Sequence, residues 1–265
     1  MALGSGTIDA ASFTTIRLGS GALMLALLAQ GRRREIFSGQ RGSWRSAVML
    51  FVYAAAFSFA YRNLSAGTGA LILFASVQLT MLLFAIFSGE RPGAAEWFGL
   101  ALAFGGLVYL VLPGLSSPPA LNAGLMTLAG AAWGIYSLRG RGSVDALGVT
   151  IGNFLRAVPF ALVATVVTLS DRHATQRGAL LAMLSGAIMS GLGYVVWYSA
   201  LRGLTSTRAA LVQLSVPVIA ALGGVVLLHE KVTTRLVIAS LLVLSGIALA
   251  VCTRPVRQPP SSVSR

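Results

Sequence analysis

The sequence predicts an all-α, polytopic membrane protein with nine transmembrane helices, arranged as two inverted-topology repeats of four and five helices. Three observations carry that expectation. First, 56% of the 265 residues are hydrophobic and only 10% are charged, and the mean hydropathy is +0.81. A soluble domain carries about 25% charged residues. Too little polar surface is left here to coat a globule in water, so lipid must supply part of the solvent. Second, the apolar residues fall into nine runs of helix-spanning length. Third, one sequence offset relates the first half of the chain to the second.

A helix needs about 20 apolar residues to cross a bilayer. The candidate runs are 11–30, 46–61, 66–87, 97–115, 121–138, 147–169, 178–200, 208–228 and 235–252. The second is the short one. Connections are brief, as expected of tightly packed hairpins; only 31–45 and the tail 253–265 are longer. The tail, TRPVRQPPSSVSR, is rich in Pro and Ser and is expected to be disordered. The opening residues MALGSGTIDA lack a basic region, and the run after them contains Arg17, so no cleavable signal peptide is expected.

The net charge of +13 could suggest nucleic acid, but its distribution excludes that. The positive residues sit in short clusters between apolar runs, with no basic domain or basic helix face. With 31–45 on the cytoplasmic side, alternation places Arg32, Arg33, Arg34, Arg41, Arg45, Arg91, Arg139, Arg141, Arg202, Arg208, Arg254, Arg257 and Arg265 there. The other side holds Arg62, Arg172, Arg177, Lys231 and Arg235. The positive-inside rule then puts the C-terminus in the cytoplasm and the N-terminus outside a bacterial-type inner membrane. Trp44 and Trp97 begin helices at the cytoplasmic face, where an aromatic belt belongs. Cys252 is the single cysteine, and His173 and His229 lie far apart in loops. No disulfide, metal site or cofactor is expected.

The two halves match at an offset of 139–140 residues. Arg17 in TTIRLGSGAL falls on Arg156 in NFLRAVPFAL. Ala70-Leu71 falls on Ala210-Leu211, and Glu90 falls on Glu230. The run GLALAFGGLVYL at 99–110 falls on ASLLVLSGIALA at 239–250. Chance likeness between apolar helices would not hold charged markers in register. The chain therefore divides into 1–115, 116–252 and the tail 253–265. An odd helix count in the second copy inverts it relative to the first, a hallmark of secondary transporters. The first copy has no counterpart of 121–138: either the frame starts upstream of Met1 or that helix is lacking.

Several stretches carry a family likeness: AGAAWGIYSLRGRG (129–142), NFLRAVPFAL (153–162), GYVVWYSALRGL (193–204), AALVQLSVPVIAALGGVVLLHEKV (209–232) and FTTIRLGSGALMLALL (13–28). Over about residues 8–253 the chain resembles the drug/metabolite transporter superfamily, specifically EamA-type permeases. The resemblance implies two five-helix inverted repeats and export of amino acids, metabolites or drugs by alternating access. It implies membrane lipid and a small-molecule substrate as partners, no nucleic acid, and leaves a homodimer open.

Arg156 stands out among the candidate site residues. It lies about nine residues into its helix, so about 14 Å deep at 1.5 Å per residue. At that depth arginine costs at least about 2.5–3.5 kcal/mol, so it should face protein or water. Asn153 shares its face, and Pro159 frees the carbonyl of Leu155. Arg17 is the repeat mate, closer to its helix end, where snorkelling to the interface competes. Gln213 and Pro217 form a second patch, because Pro217 cannot donate to the carbonyl of Gln213. Gln78 is the polar residue at comparable depth in the first copy. Trp133 with Tyr136, and Tyr194 with Trp197 and Tyr198, share helix faces and read either as an aromatic belt or as a cavity lining. Gly130 with Gly134, Gly186 with Ser190, and Gly105, Gly106, Gly223 and Gly224 read as close-packing positions. Glu90 and Glu230 read as structural, pairing with Arg91 and Lys231.

All seven acidic residues lie in loops or at helix ends. No carboxylate is placed mid-membrane to shuttle protons or hold a cation. The expected substrate is neutral, zwitterionic or anionic, with carboxylates favoured by Arg156. An intramembrane hydrolase is excluded, since no His or acid lies within the helices to assemble its chemistry. The competing function is a non-transporting membrane subunit or an N-terminally truncated, inactive permease.

Overall fold

Helix starts along this chain are written in its caps. Asp9, Ser43, Asp145, Thr175 and Thr205 each precede a helix and accept the N–H three residues on, at 2.8–3.2 Å. Each satisfies one of the donors that a helix N-terminus leaves open. The computed structural model describes residues 3, 6–30, 42–228 and 231–252. Arg32 to Arg41, His229, Glu230 and the tail 253–265 lie outside the described residues, with the expectations placed on them.

The helices are α1 (Ala10–Ala29), α2 (Trp44–Ala60), α3 (Ala66–Phe87), α4 (Ala94–Val111), α5 (Ala120–Gly140) and α6 (Ala146–Val167). They continue with α7 (Gln176–Leu184), a π-helical stretch (Ser185–Leu192), α8 (Gly193–Ala200), α9 (Ser206–Gln213), α10 (Ser215–Leu228) and α11 (Thr234–Cys252). Among the described residues β pairing is limited to an isolated bridge between Ile8 and Ala174. Among the described residues seven spans, not the nine expected, are long and apolar enough to cross a membrane, with α7 to α8 and α9 to α10 each counting as one; α2 is apolar but shorter, and α5 is not among the seven. Large apolar side chains face outward: Val163, Val167 and Phe87 are 63%, 77% and 85% exposed. Water would penalise such a surface and lipid would not.

The packing divides into two compact units. The first holds residues up to Thr80 and Gly114–Leu204. Here α2 lies along α5, and α1 packs on α6, α7 and the π-helical stretch. Close approach depends on small residues. A Cβ on Gly130 would meet Ser76 Cβ at 2.5 Å, and one on Gly186 would collide with the Arg17 carbonyl and Ser20 Oγ. On the α1–α6 seam Thr15 Oγ1 donates to the Ala161 carbonyl at 2.9 Å, and Gly21 faces the Phe154 ring.

The segment before α1 is clasped to the loop before α7. Asp9 accepts from the N–H groups of Ser12 (2.8 Å) and His173 (3.0 Å), and the Asp9 N–H donates to the His173 carbonyl at 2.9 Å. Partial burial pushes the Asp9 carboxyl up, but the hydrogen bonds from Ser12 and His173, with the His173 charge, outweigh it and leave it below the ordinary value. A carboxyl lowered on folding stabilises the fold above its unfolded pKa, and the contribution is lost as pH falls through the folded value. Melting curves taken through the acidic range are expected to show wild type losing more stability than Asp9→Asn, which keeps a cap without a titrating group.

The second unit holds Met81–Pro113 and the chain from Thr205. Its main contact is α4 against α11, running antiparallel: Gly99 lies on the Gly246 carbonyl, and a Cβ on Gly106 would sit 3.1 Å from the Ala239 carbonyl. Gly105 and Gly223 meet nothing within 4 Å among the described residues, so the packing role expected of them falls to Gly106 and Gly246. Helix α3 ends on Gly89, whose φ of +80° allows the Glu90 N–H to reach back to the Ala85 carbonyl at 2.9 Å. Glu90 was expected to pair with Arg91; its carboxylate instead accepts from the N–H groups of Ser206 (2.9 Å) and Thr207 (3.2 Å) at the start of α9. A carboxylate at a helix N-terminus meets both open donors and the positive end of the dipole. Beside it Arg208 pairs with Glu96 at 3.2 Å.

The helix carrying Pro217 is interrupted one turn before it, where its missing donor weakens the backbone ladder. The α-helix stops at Gln213 and restarts at Ser215, with Leu214 N–H turned to the Leu211 carbonyl at 3.0 Å. Pro217→Ala restores an N–H for the Gln213 carbonyl, and hydrogen exchange is expected to show a newly protected amide at 217 and slower exchange around it.

Candidate substrate site

Helix α1 carries Arg17 about 11 Å along its length at 1.5 Å per residue. The side chain does not snorkel, as its place near a helix end had suggested. It is 6% exposed and turned into the first unit. Its Nε donates to Ser190 Oγ at 2.8 Å, and its Nη2 donates to the hydroxyls of Tyr194 (2.9 Å) and Tyr53 (3.3 Å). The guanidinium also lies over the rings of Tyr53 and Phe57, at 5.3 and 5.5 Å. The π-helical stretch brings α7 close enough for this: Gly186 lies on the Arg17 carbonyl, and Ser190 follows one turn later. Such π turns recur at functional sites.

The hydrogen bonds have a direction with a chemical consequence. Guanidinium only donates, so the oxygens of Tyr53, Tyr194 and Ser190 all act as acceptors toward it. The phenolic protons of Tyr53 and Tyr194 must then point elsewhere, and Nη1 makes no hydrogen bond among the described residues. No carboxylate there pairs with Arg17. A buried cation with a donor to spare is complementary to an anion.

Aromatic rings continue from this point. Trp133 packs on Tyr53 at 4.9 Å and on Tyr194 at 4.6 Å between centroids; Tyr136 lies 5.6 Å from Trp133, 6.1 Å from Tyr194 and 5.0 Å from Tyr198. Tyr136 and Tyr198 are fully buried. These faces therefore pack inside the protein rather than at a lipid interface. Trp197 is half-buried and donates from Nε1 to Ser137 Oγ at 2.9 Å.

The structure separates Asn153 from Arg156, which had been expected to form one patch. Asn153 is fully buried, and its Oδ1 accepts from the Ser43 N–H at 3.0 Å. Arg156 is half-exposed, donates from Nη1 to the Gly152 carbonyl of its own helix at 2.8 Å, and lies over the Trp44 ring at 5.8 Å. Helix α6 runs unbroken through Pro159. Gln78 is buried on α3 in the first unit, and Gln213 is buried at the end of α9 in the second. Sequence reasoning missed Tyr53, which lies in the short second run without a polar neighbour to mark it. It valued Ser190 only for its size.

Known proteins resemble this chain along nearly all its length. Residues 1–112 and 121–252 match the model of the EamA-like transporter family. The chain belongs to that family. Membership makes it a membrane transporter and not an enzyme. An uncharacterized protein of Pseudomonas aeruginosa is 54% identical over 96% of this chain and 88% of its own length. An Escherichia coli protein named "Probable amino-acid metabolite efflux pump" is 28% identical over 71% of this chain and 68% of its own. A protein of known crystal structure superposes with a TM-score of 0.78 at 18% identity, covering 94% of this chain and 89% of that one, and so shares the fold.

Proposed function

We propose that this EamA-like transporter exports a small organic acid by alternating access, with Arg17 as the partner of the substrate carboxylate. The observation that carries the reading is the guanidinium of Arg17, buried with no carboxylate beside it and with Nη1 making no hydrogen bond among the described residues. Binding a carboxylate there returns the desolvation cost of a buried charge, and releasing it restores that cost, so the site favours occupancy without holding its ligand permanently. The name of the Escherichia coli relative supports the outward direction.

Alternating access needs two related halves, and the helix seams support an inverted repeat. On the α4–α11 seam Gly99 meets Gly246, while Gly106 meets Ala239. At an offset of 140, Ala239 is the mate of Gly99 and Gly246 the mate of Gly106. Each residue thus touches the other's mate, the pattern of an isologous two-fold contact. On the α1–α6 seam Thr15 meets Ala161 and Gly21 meets Phe154, the same crossed pattern to within one residue at an offset of 139. In both seams rising numbers pair with falling ones, so the mates are antiparallel and the axis lies across the helices, in the membrane plane. The basic residues orient the chain with its C-terminus in the cytoplasm of a cell with an inner membrane.

Counterflow in proteoliposomes tests the reading. Unlabelled organic acid on one side is expected to accelerate exit of labelled acid from the other, in wild type but not in Arg17→Ala. Equal rates with and without protein would overturn it.

A further inference from the structure

We infer that Ser190 is a positioning residue that competes with the substrate for Arg17, and that the π-helical stretch Ser185–Leu192 switches it on and off the guanidinium by a shift of helix register. The inference rests on the reading of Arg17 as the carboxylate's partner.

A π-type bond reaches five residues back where an α-type bond reaches four, so the stretch accommodates an extra residue in its helix. One residue turns an α-helix by about 100°. Both ends of this helix are anchored. Before the stretch, the Thr175 N–H donates to the Thr7 carbonyl at 2.9 Å, and Gly178 lies against that carbonyl. After it, the Tyr198 ring lies on Gly140, the Tyr198 hydroxyl donates to the Tyr136 carbonyl at 3.0 Å, and Trp197 donates to Ser137 Oγ at 2.9 Å. With both ends held, the extra residue cannot be wound out. It can only travel along the helix.

The direction of travel is set by Gly186. Any side chain there would collide with the Arg17 carbonyl and Ser20 Oγ, so Gly186 has to stay where it is. The shift therefore runs toward α8. The junction on that side is already divided: the Gly193 N–H is shared between the Ile188 carbonyl, five residues back, and the Ser190 carbonyl, three back. Ile188 and Met189, which a shift would sweep sideways, are 42% and 66% exposed, so no packed core resists them. Register shifts of this kind belong to the slow collective motions of helices.

Moved toward α8, the π turn leaves Ser190 in the register of α7 and rotates it by up to about 100°. Its oxygen then leaves Arg17 Nε, which it now meets at 2.8 Å. The guanidinium has lost an acceptor, and a carboxylate supplies one with a charge. When the π turn returns, Ser190 competes for the same cation and helps the acid leave. Binding and register are thus coupled, because the acid favours the register in which Ser190 is away.

Deleting Met189 removes the extra position and leaves one α register between the two anchors. The folded variant is expected to melt close to wild type and to lose counterflow of labelled acid about a hundredfold, since the conformational step is gone. Counterflow at the wild-type rate in a folded deletion would overturn the inference. Ser190→Ala keeps the helix and tests it from the other side, by calorimetry with acetate, lactate and glutarate as probes. With the competing hydroxyl gone, acid should bind about tenfold tighter, and counterflow should slow. A residue that only supports the fold, or one that touches the acid, would weaken binding when lost. Unchanged or weaker binding in Ser190→Ala therefore overturns the inference whether or not the deletion folds. If wild type binds none of the probes, or Arg17→Ala binds them as wild type does, the Arg17 reading fails and the register switch falls with it.

Discussion

Arg17→Ala is expected to lower carboxylate transport about a hundredfold in proteoliposomes loaded with labelled acid. The variant removes the cation and three donated hydrogen bonds at once. A hydrogen bond to a charged partner contributes about 1.5–3 kcal/mol, and each 1.4 kcal/mol is a factor of ten, so losing the substrate's charge-assisted pair alone accounts for the drop. Arg17→Lys keeps the charge but not the planar fork that reaches Ser190 and both tyrosines, and should recover only part of the rate. The folded state should tolerate the alanine, because Tyr53, Tyr194 and Ser190 keep hydroxyls able to bond one another. Initial rates and melting temperature read together separate the two effects: a lost rate with an intact melt is expected. A rate unchanged in Arg17→Ala would remove the site.

Gly186→Val is expected to have the largest effect on the fold. A Cβ at 186 collides with the Arg17 carbonyl and with Ser20 Oγ, and backbone gives way less easily than a side-chain end. Overpacking of this kind costs about 1–3 kcal/mol, and a branched residue adds atoms beyond the Cβ. The strain falls on the seam that presents Arg17 to Ser190, so stability and transport should fall together. Gly105→Val is the control: nothing lies within 4 Å of that position among the described residues, and its melting temperature should stay close to wild type. Thermal unfolding in detergent, followed by fluorescence of the four tryptophans, measures both variants.

Much of this architecture could be read in the residues. The apolar runs mark the helices to within a few positions because a bilayer permits little besides helix in its interior. Pro217 shows local chemistry reading through to structure, since its missing donor predicts the break that the chain makes at Leu214. Pro159 carries the same defect, yet α6 continues past it. The difference lies in tertiary packing, which no single residue reveals. The arginines show the same limit. Depth along a helix favoured Arg156, but depth says nothing of which way a side chain turns. Rotation about the axis sends Arg156 over Trp44 and Arg17 among buried tyrosines. The π-helical stretch, which carries Gly186 onto α1 and Ser190 to Arg17, has no sequence mark beyond its small residues. The aromatic pattern was visible but ambiguous between belt and lining, and burial of Tyr136 and Tyr198 takes those two rings out of the belt.

The most direct test compares the medium of cells overproducing wild type, Arg17→Ala and Arg156→Ala. A carboxylate metabolite is expected to accumulate outside with wild type and with Arg156→Ala, and to disappear with Arg17→Ala. Accumulation that survives Arg17→Ala and is lost in Arg156→Ala would place the substrate on the other arginine and contradict the site described here.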